Sequence, residues 1–132
     1  NVKVASPEGF EPLPGVVDHA RKLAMPGTLI EVVNQPLKAV KGAHAIYTDV
    51  WASMGQEAEK LERQKAFQGF CLDKSFLEEA FKDAIVLHCL PAHRGEEISE
   101  DLIESSASRV FDQAENRLHV QQALLSSLLG GL

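Results

Sequence analysis

Residues Ala84-Ile85-Val86-Leu87-His88-Cys89-Leu90-Pro91 pass from an apolar run to a histidine, a thiol and a proline. A short apolar run of this kind suits a strand buried on both faces, as in a parallel sheet. Pro91 has no amide proton for a ladder, so the strand ends near it. In open parallel sheets, ligands bind outside the carboxyl ends of the strands. His88 and Cys89 therefore stand where chemistry is expected.

The same alternation continues on both sides. Val2–Ala5 reads as a strand, broken by Ser6-Pro7-Glu8-Gly9. Val16–Ala24 has a helical apolar face, and Thr28–Val33 is rich in β-formers. Pro36 opens a short helix to Lys41, which Gly42 closes. Ala43–Thr48 is the next strand, followed by a charged helix over Gln56–Phe67. Phe70-Cys71-Leu72 is expected as a short strand, and Ser75 with Glu78 as a capping box for a helix to Phe81. Beyond the 84–89 strand, Ser99 is expected to cap a helix to Glu104. Arg109-Val110-Phe111 reads as a last strand, and Glu115–Leu129 as a final helix.

Strands alternating with helices predict an α/β fold with a three-layer, doubly wound parallel sheet of Rossmann-like type. No Gly-rich strand-to-helix turn opens the chain, so its first β-α unit is expected to be missing. The first residue is Asn1 rather than Met, which points to processing or a fragment.

Composition narrows the function. The chain has 132 residues, 45% of them apolar, and a net charge of −6. Its scattered Lys and Arg form no basic stripe, so nucleic acid is not an expected partner. No apolar run approaches the roughly 18 residues of a membrane span, so no membrane partner is expected. Two cysteines make no disulfide framework, which fits a reducing, cytoplasmic setting. A mitochondrial matrix or plastid location is the alternative. Cys71 reads as core. His88 and His93 lack the four-ligand spacing of a zinc site, so neither a metal nor a cofactor is expected.

Three polar clusters follow predicted strands: Asp49-Val50-Trp51-Ala52-Ser53-Met54-Gly55, His88-Cys89-Leu90-Pro91, and Asp112-Gln113-Ala114-Glu115-Asn116-Arg117. In a parallel sheet they converge on one edge. Asp49 suits an ammonium group, Cys89 is a titratable thiol, and Arg117 can stabilise oxygen charge. Together they suit a small ligand with amine and anionic ends. Taken singly, Asp49 could cap a loop, Cys89 could be core, and Arg117 could pair with Asp112 or Glu115.

These three motifs, with Ser6-Pro7-Glu8-Gly9-Phe10-Glu11-Pro12 and Ala66-Phe67-Gln68-Gly69, resemble the ornithine carbamoyltransferases. The resemblance covers essentially the whole chain. It implies carbamoyl transfer from carbamoyl phosphate to the δ-amine of L-ornithine, giving L-citrulline and phosphate. It assigns ornithine binding to Asp49, Ser53 and Met54. It assigns Cys89 and Arg117 to catalysis, and Cys89, Leu90 and Arg117 to carbamoyl phosphate. Residues 1–132 would then be part of the ornithine-binding domain. The family's amino-terminal carbamoyl-phosphate domain, with its Ser-Thr-Arg-Thr-Arg segment, would be absent. A homotrimer is implied for the full-length subunit, and an inactive state for the isolated chain. The alternatives are a transcarbamylase for another amine acceptor and a non-catalytic α/β module that binds an amino acid or a partner.

Overall fold

A computed structural model describes residues 1–52 and 59–130. Four short strands and six helices follow one another as β1 (Val2–Ala5), α1 (Pro14–Leu23), β2 (Ile30–Val33), α2 (Pro36–Val40), β3 (Ala45–Thr48), α3 (Lys60–Ala66), α4 (Lys74–Glu79), β4 (Ile85–His88), α5 (Glu100–Ile103) and α6 (Val110–Leu128). All strand pairing within the named strands is parallel, as the α/β reading requires. The strands form two pairs, β1–β2 and β3–β4, rather than one continuous sheet. Val2 aligns with Ile30 in the first pair, and Ala45 with Ile85 in the second.

The core lies around β3, β4 and the helices after them. Val86, Ile98, Leu102 and Val110 are wholly inaccessible to solvent, and Ile46 and Phe76 pack with them. Alternation along β4 places Val86 and His88 inward. The period-2 geometry of a strand then turns Leu87 and Cys89 to the other face. α2 ends at Val40. Gly42 follows with φ of +69°, the left-handed conformation that glycine adopts without a Cβ clash.

Several boundaries differ from the sequence reading. Arg109–Phe111 is not a strand. Val86 donates to Ala107 O and Arg109 donates to Val86 O, and the pairing stops there because Gln113 N already bonds Arg109 O helically. α6 thus begins at Val110 instead of Glu115. Phe70-Cys71-Leu72 forms only an isolated bridge, Leu72 to Ile98. The cap of α4 is Asp73, not Ser75: its Oδ1 accepts from Ser75 N at 2.9 Å and from Ser75 Oγ at 2.6 Å. A carboxylate two residues earlier satisfies the helix start, and Ser75 is drawn inside the helix. Ser99 occupies the cap position of α5, but its hydroxyl donates to Asp101. The charged helix begins at Lys60, with Glu59 and Arg63 paired at 2.9 Å as their spacing predicts. Its expected start at Gln56 lies outside the described residues.

The apolar face expected on α1 is present but uncovered. None of its residues is buried, and Val16 is 61% exposed. In α6, burial is complete only at Val110. Leu118, Leu124, Leu125 and Leu128 are all exposed.

Candidate functional site

Asp49 follows β3 directly and Cys89 follows β4 directly. Thr48 and His88 are register partners, so the next residues of the two strands are brought side by side. Cys89 Sγ donates to Asp49 Oδ1 at 2.9 Å. The exposed Asp49 carboxylate also accepts from Val50 N at 2.7 Å, which fixes its rotamer at the strand end. The Cys89 thiol titrates above its ordinary value. Partial burial is the main cause, followed by the hydrogen bond and charge of Asp49. Tyr47 and the Cys89 backbone pull in the opposite direction. Tyr47 is therefore the side chain that offsets Asp49.

His88 supports this edge from inside. Its Nδ1 accepts from Leu90 N at 2.8 Å, so the imidazole proton resides on Nε2 and is donated to Glu97 Oε1 at 3.1 Å. Both His88 and Glu97 are fully buried. Leu90 has φ of +56° and precedes a cis peptide bond to Pro91. The left-handed region costs a non-glycine residue about 1–2 kcal/mol, and the ring of His88 holds Leu90 in it. The backbone of Leu90 is thus presented in a defined orientation beside Cys89.

The sequence does not single out Glu97, and Gln113 enters it only as a member of the third polar cluster. Glu97 also accepts from His93 N, and its Oε2 has no hydrogen-bond partner among the described residues. A buried glutamate gives no sequence signal until its histidine partner is seen in space. Glu97, His93 and Glu96 bring potential ligand atoms within 4.8 Å of one another. Lys60 Nζ pairs with Glu96 Oε1 at 2.9 Å. Gln113 accepts from His88 N at 3.1 Å and donates to the Tyr47 hydroxyl at 3.1 Å.

The structure brings Asp49, Cys89 and Leu90 together. Arg117 lies about two turns into α6, four residues beyond Gln113 and on the same helical face. It is exposed, and among the described residues its side chain makes no hydrogen bond or ion pair. The pairings open to it are taken: Asp112 lies 3.8 Å from Arg109, and Glu115 lies 3.8 Å from His119. Ser53 and Met54 lie outside the described residues. A cleft of about 250 Å³ has Asp49 in its wall. It is lined by Ala5 at the end of β1, by Ile46–Trp51, and by Phe67, Phe70 and Phe76. Trp51 stacks on Phe67 at 5.6 Å, and Arg63 donates to Trp51 O at 3.2 Å. Both contacts brace the turn that carries Asp49.

Parallel strands that deliver a carboxylate and a thiol to one edge define an α/β ligand-binding domain. The family described as aspartate/ornithine carbamoyltransferase, Asp/Orn binding domain, matches residues 1–128. The chain belongs to that family. It is 66% identical over 132 residues to the ornithine carbamoyltransferase of Parasynechococcus marenigrum strain WH8102, covering all of this chain and 42% of that protein. The structure is similar to the ornithine carbamoyltransferase of Pyrococcus furiosus, with a TM-score of 0.89 and 52% identity over all of this chain and 42% of that one. It is also similar to the anabolic ornithine carbamoyltransferase of Campylobacter jejuni, with a TM-score of 0.91 and 39% identity over 99% of this chain and 44% of that one. The chain therefore spans less than half the length of these relatives, and its fold class is the Rossmann-like α/β one.

Proposed function

We propose that this chain is the ornithine side of an ornithine carbamoyltransferase, in which the δ-amine of L-ornithine attacks carbamoyl phosphate to give L-citrulline and phosphate. The observation that carries this reading is the 2.9 Å contact between Cys89 and Asp49 at the ends of neighbouring parallel strands. An alkyl ammonium titrates near ~10.4 and must lose a proton before it can attack. Asp49 attracts the ammonium. The arriving positive charge offsets the Asp49 charge, which adds to partial burial in keeping the Cys89 thiol protonated. Cys89 then releases its thiol proton to solvent and, as thiolate, takes the amine proton. The nitrogen–carbon bond forms, the carbon–oxygen bond to phosphate breaks, and phosphate leaves with the electron pair. The Leu90 main chain holds the carbamoyl group, and Arg117 stabilises its oxygen as charge develops. Ser53 and Met54 complete the ornithine contacts.

The remaining half of the site comes from an amino-terminal carbamoyl-phosphate domain of the longer subunit, and the active assembly is a homotrimer. A further parallel strand from the preceding sequence fits between β1 and β3. The separation of the two strand pairs and the cleft between Ala5 and Ile46–Asp49 support this placement. Citrulline formation by the full-length subunit tests the reading. Cys89→Ala and Asp49→Asn are each expected to lower kcat/KM for ornithine by about 10²–10⁴-fold, the usual weight of a positioned proton acceptor. Affinity for carbamoyl phosphate should change much less. Absence of citrulline from the wild-type subunit, or unchanged ornithine kinetics in both variants, overturns it.

A further inference from the structure

Among the described residues, the outer side of β4 is paired for only one residue. Val86 bonds Ala107 and Arg109, and the next ladder donor on that side is His88 N. The backbone acceptor due there, Arg109 O, is already engaged by Gln113 N in the first turn of α6. The Gln113 side chain supplies the acceptor instead, with Oε1 at 3.1 Å from His88 N. The other end of the same amide donates to the Tyr47 hydroxyl at 3.1 Å. One side chain from α6 therefore ties the last turns of β3 and β4 together, immediately before Asp49 and Cys89.

The chemistry of glutamine is specific to this task. An amide has both an acceptor oxygen and donor hydrogens, whereas an ionised carboxylate only accepts. A phenol that accepts from Gln113 keeps its own proton for another partner. Tyr47 is the register partner of Leu87, so Cys89 lies one pleat further along the same face. We propose that Gln113 is a positioning residue for the Asp49–Cys89 pair: it fixes the two strand ends against each other and turns the Tyr47 hydroxyl proton toward the Cys89 sulfur.

The side chains that act on the Cys89 thiol are Asp49 and Tyr47, both from β3. α6 contributes the uncharged Gln113. His88, in Cys89's own segment, is turned inward to Glu97. A Tyr47 hydrogen bond favours the thiolate and opposes Asp49. Losing it should push the thiol up.

The experiment uses the full-length subunit. Alkylation of Cys89 by iodoacetamide is followed against pH, with the Cys89 peptide resolved from the Cys71 peptide by mass spectrometry. Gln113→Leu, Gln113→Glu and Tyr47→Phe should each raise the alkylation midpoint, by about half a pH unit or more. The kinetic arm rests on the ornithine reading above. Gln113→Leu should raise the ornithine KM about tenfold with a smaller change in kcat, the mark of misplaced binding groups. Gln113→Glu retains the acceptor for His88 N and should restore KM to within about twofold of wild type. Tyr47 is exposed, so Tyr47→Phe tests the hydroxyl without disturbing the core. Unchanged midpoints in Tyr47→Phe and Gln113→Leu overturn the proposal. So does a fall in thermal stability with midpoint and KM unmoved. If the wild-type subunit forms no citrulline, the functional reading falls, while alkylation still judges Gln113.

Discussion

The pairs β1–β2 and β3–β4 have equal length and the same parallel pairing, yet they sit in different surroundings. β3–β4 is enclosed by α4, α5, the 91–99 segment and the start of α6, and among the described residues every fully buried side chain belongs to this half. β1, α1 and β2 contribute no apolar residue to the buried core. Polar links hold that half instead: Asn34 donates to Ser6 O at 3.0 Å and to Glu11 Oε1 at 2.9 Å, and Gly9 N donates to Glu11 Oε2 at 2.8 Å. Site chemistry therefore stands on the half that is packed within this chain. The other half presents apolar surface on α1, and α6 adds more along its length.

The sharpest way to break this contrast is through stability. Leu102→Ala in the packed half should destabilise the fold by about 2–5 kcal/mol, because it opens a cavity at a fully buried position. Val16→Ala on α1 should stay within about 0.5 kcal/mol. Urea unfolding of both variants checks this, and comparable losses would show that α1 is packed after all.

Arg117 probes the dependence of the site on surface outside this chain. In the full-length subunit, Arg117→Ala should lower kcat by about 10²-fold or more while ornithine KM changes less, as for a contact made to developing charge. The reverse ranking would assign Arg117 to ground-state binding. The smallest effect concerns the polar links around Glu11. Its carboxyl is held below the usual 4.5, chiefly by backbone hydrogen bonding at Glu11 itself and then by Asn34. A carboxyl lowered by folding contributes stability that is present above its unfolded value and lost as pH falls through the folded one. The thermal midpoints of wild type and Glu11→Gln should therefore differ slightly at neutral pH and converge in acid below 4.5. A difference that persists in acid would show that the link does not depend on the charge.

The strands were legible because apolar runs end abruptly in polar residues, as at Asp49 and His88. That pattern also placed Asp49 and Cys89 on one sheet edge. What the sequence concealed depends on partners distant along the chain. Glu97 is one of two adjacent glutamates, and only the ring of His88 distinguishes it from Glu96. Gln113 reads as one more polar residue of the third cluster until β4 is found to lack a backbone acceptor at His88. Arg109–Phe111 has strand composition, but helical bonding from Arg109 onward overrides it. Asp73 and Ser75 are both good caps, and spacing alone does not choose between them.

The separation of the two strand pairs has a practical consequence. The outer side of β4 is partly taken by Ala107–Arg109, so β3 presents its free ladder groups on the side away from β4. Unpaired edges are templates for adding strands from other molecules. Produced by itself, the chain carries more such edges than a continuous four-stranded sheet would, beside the bare leucines of α6. Its yield as a separate polypeptide should then be governed by self-association, and lysines placed along the open edge of β3 would be the first remedy.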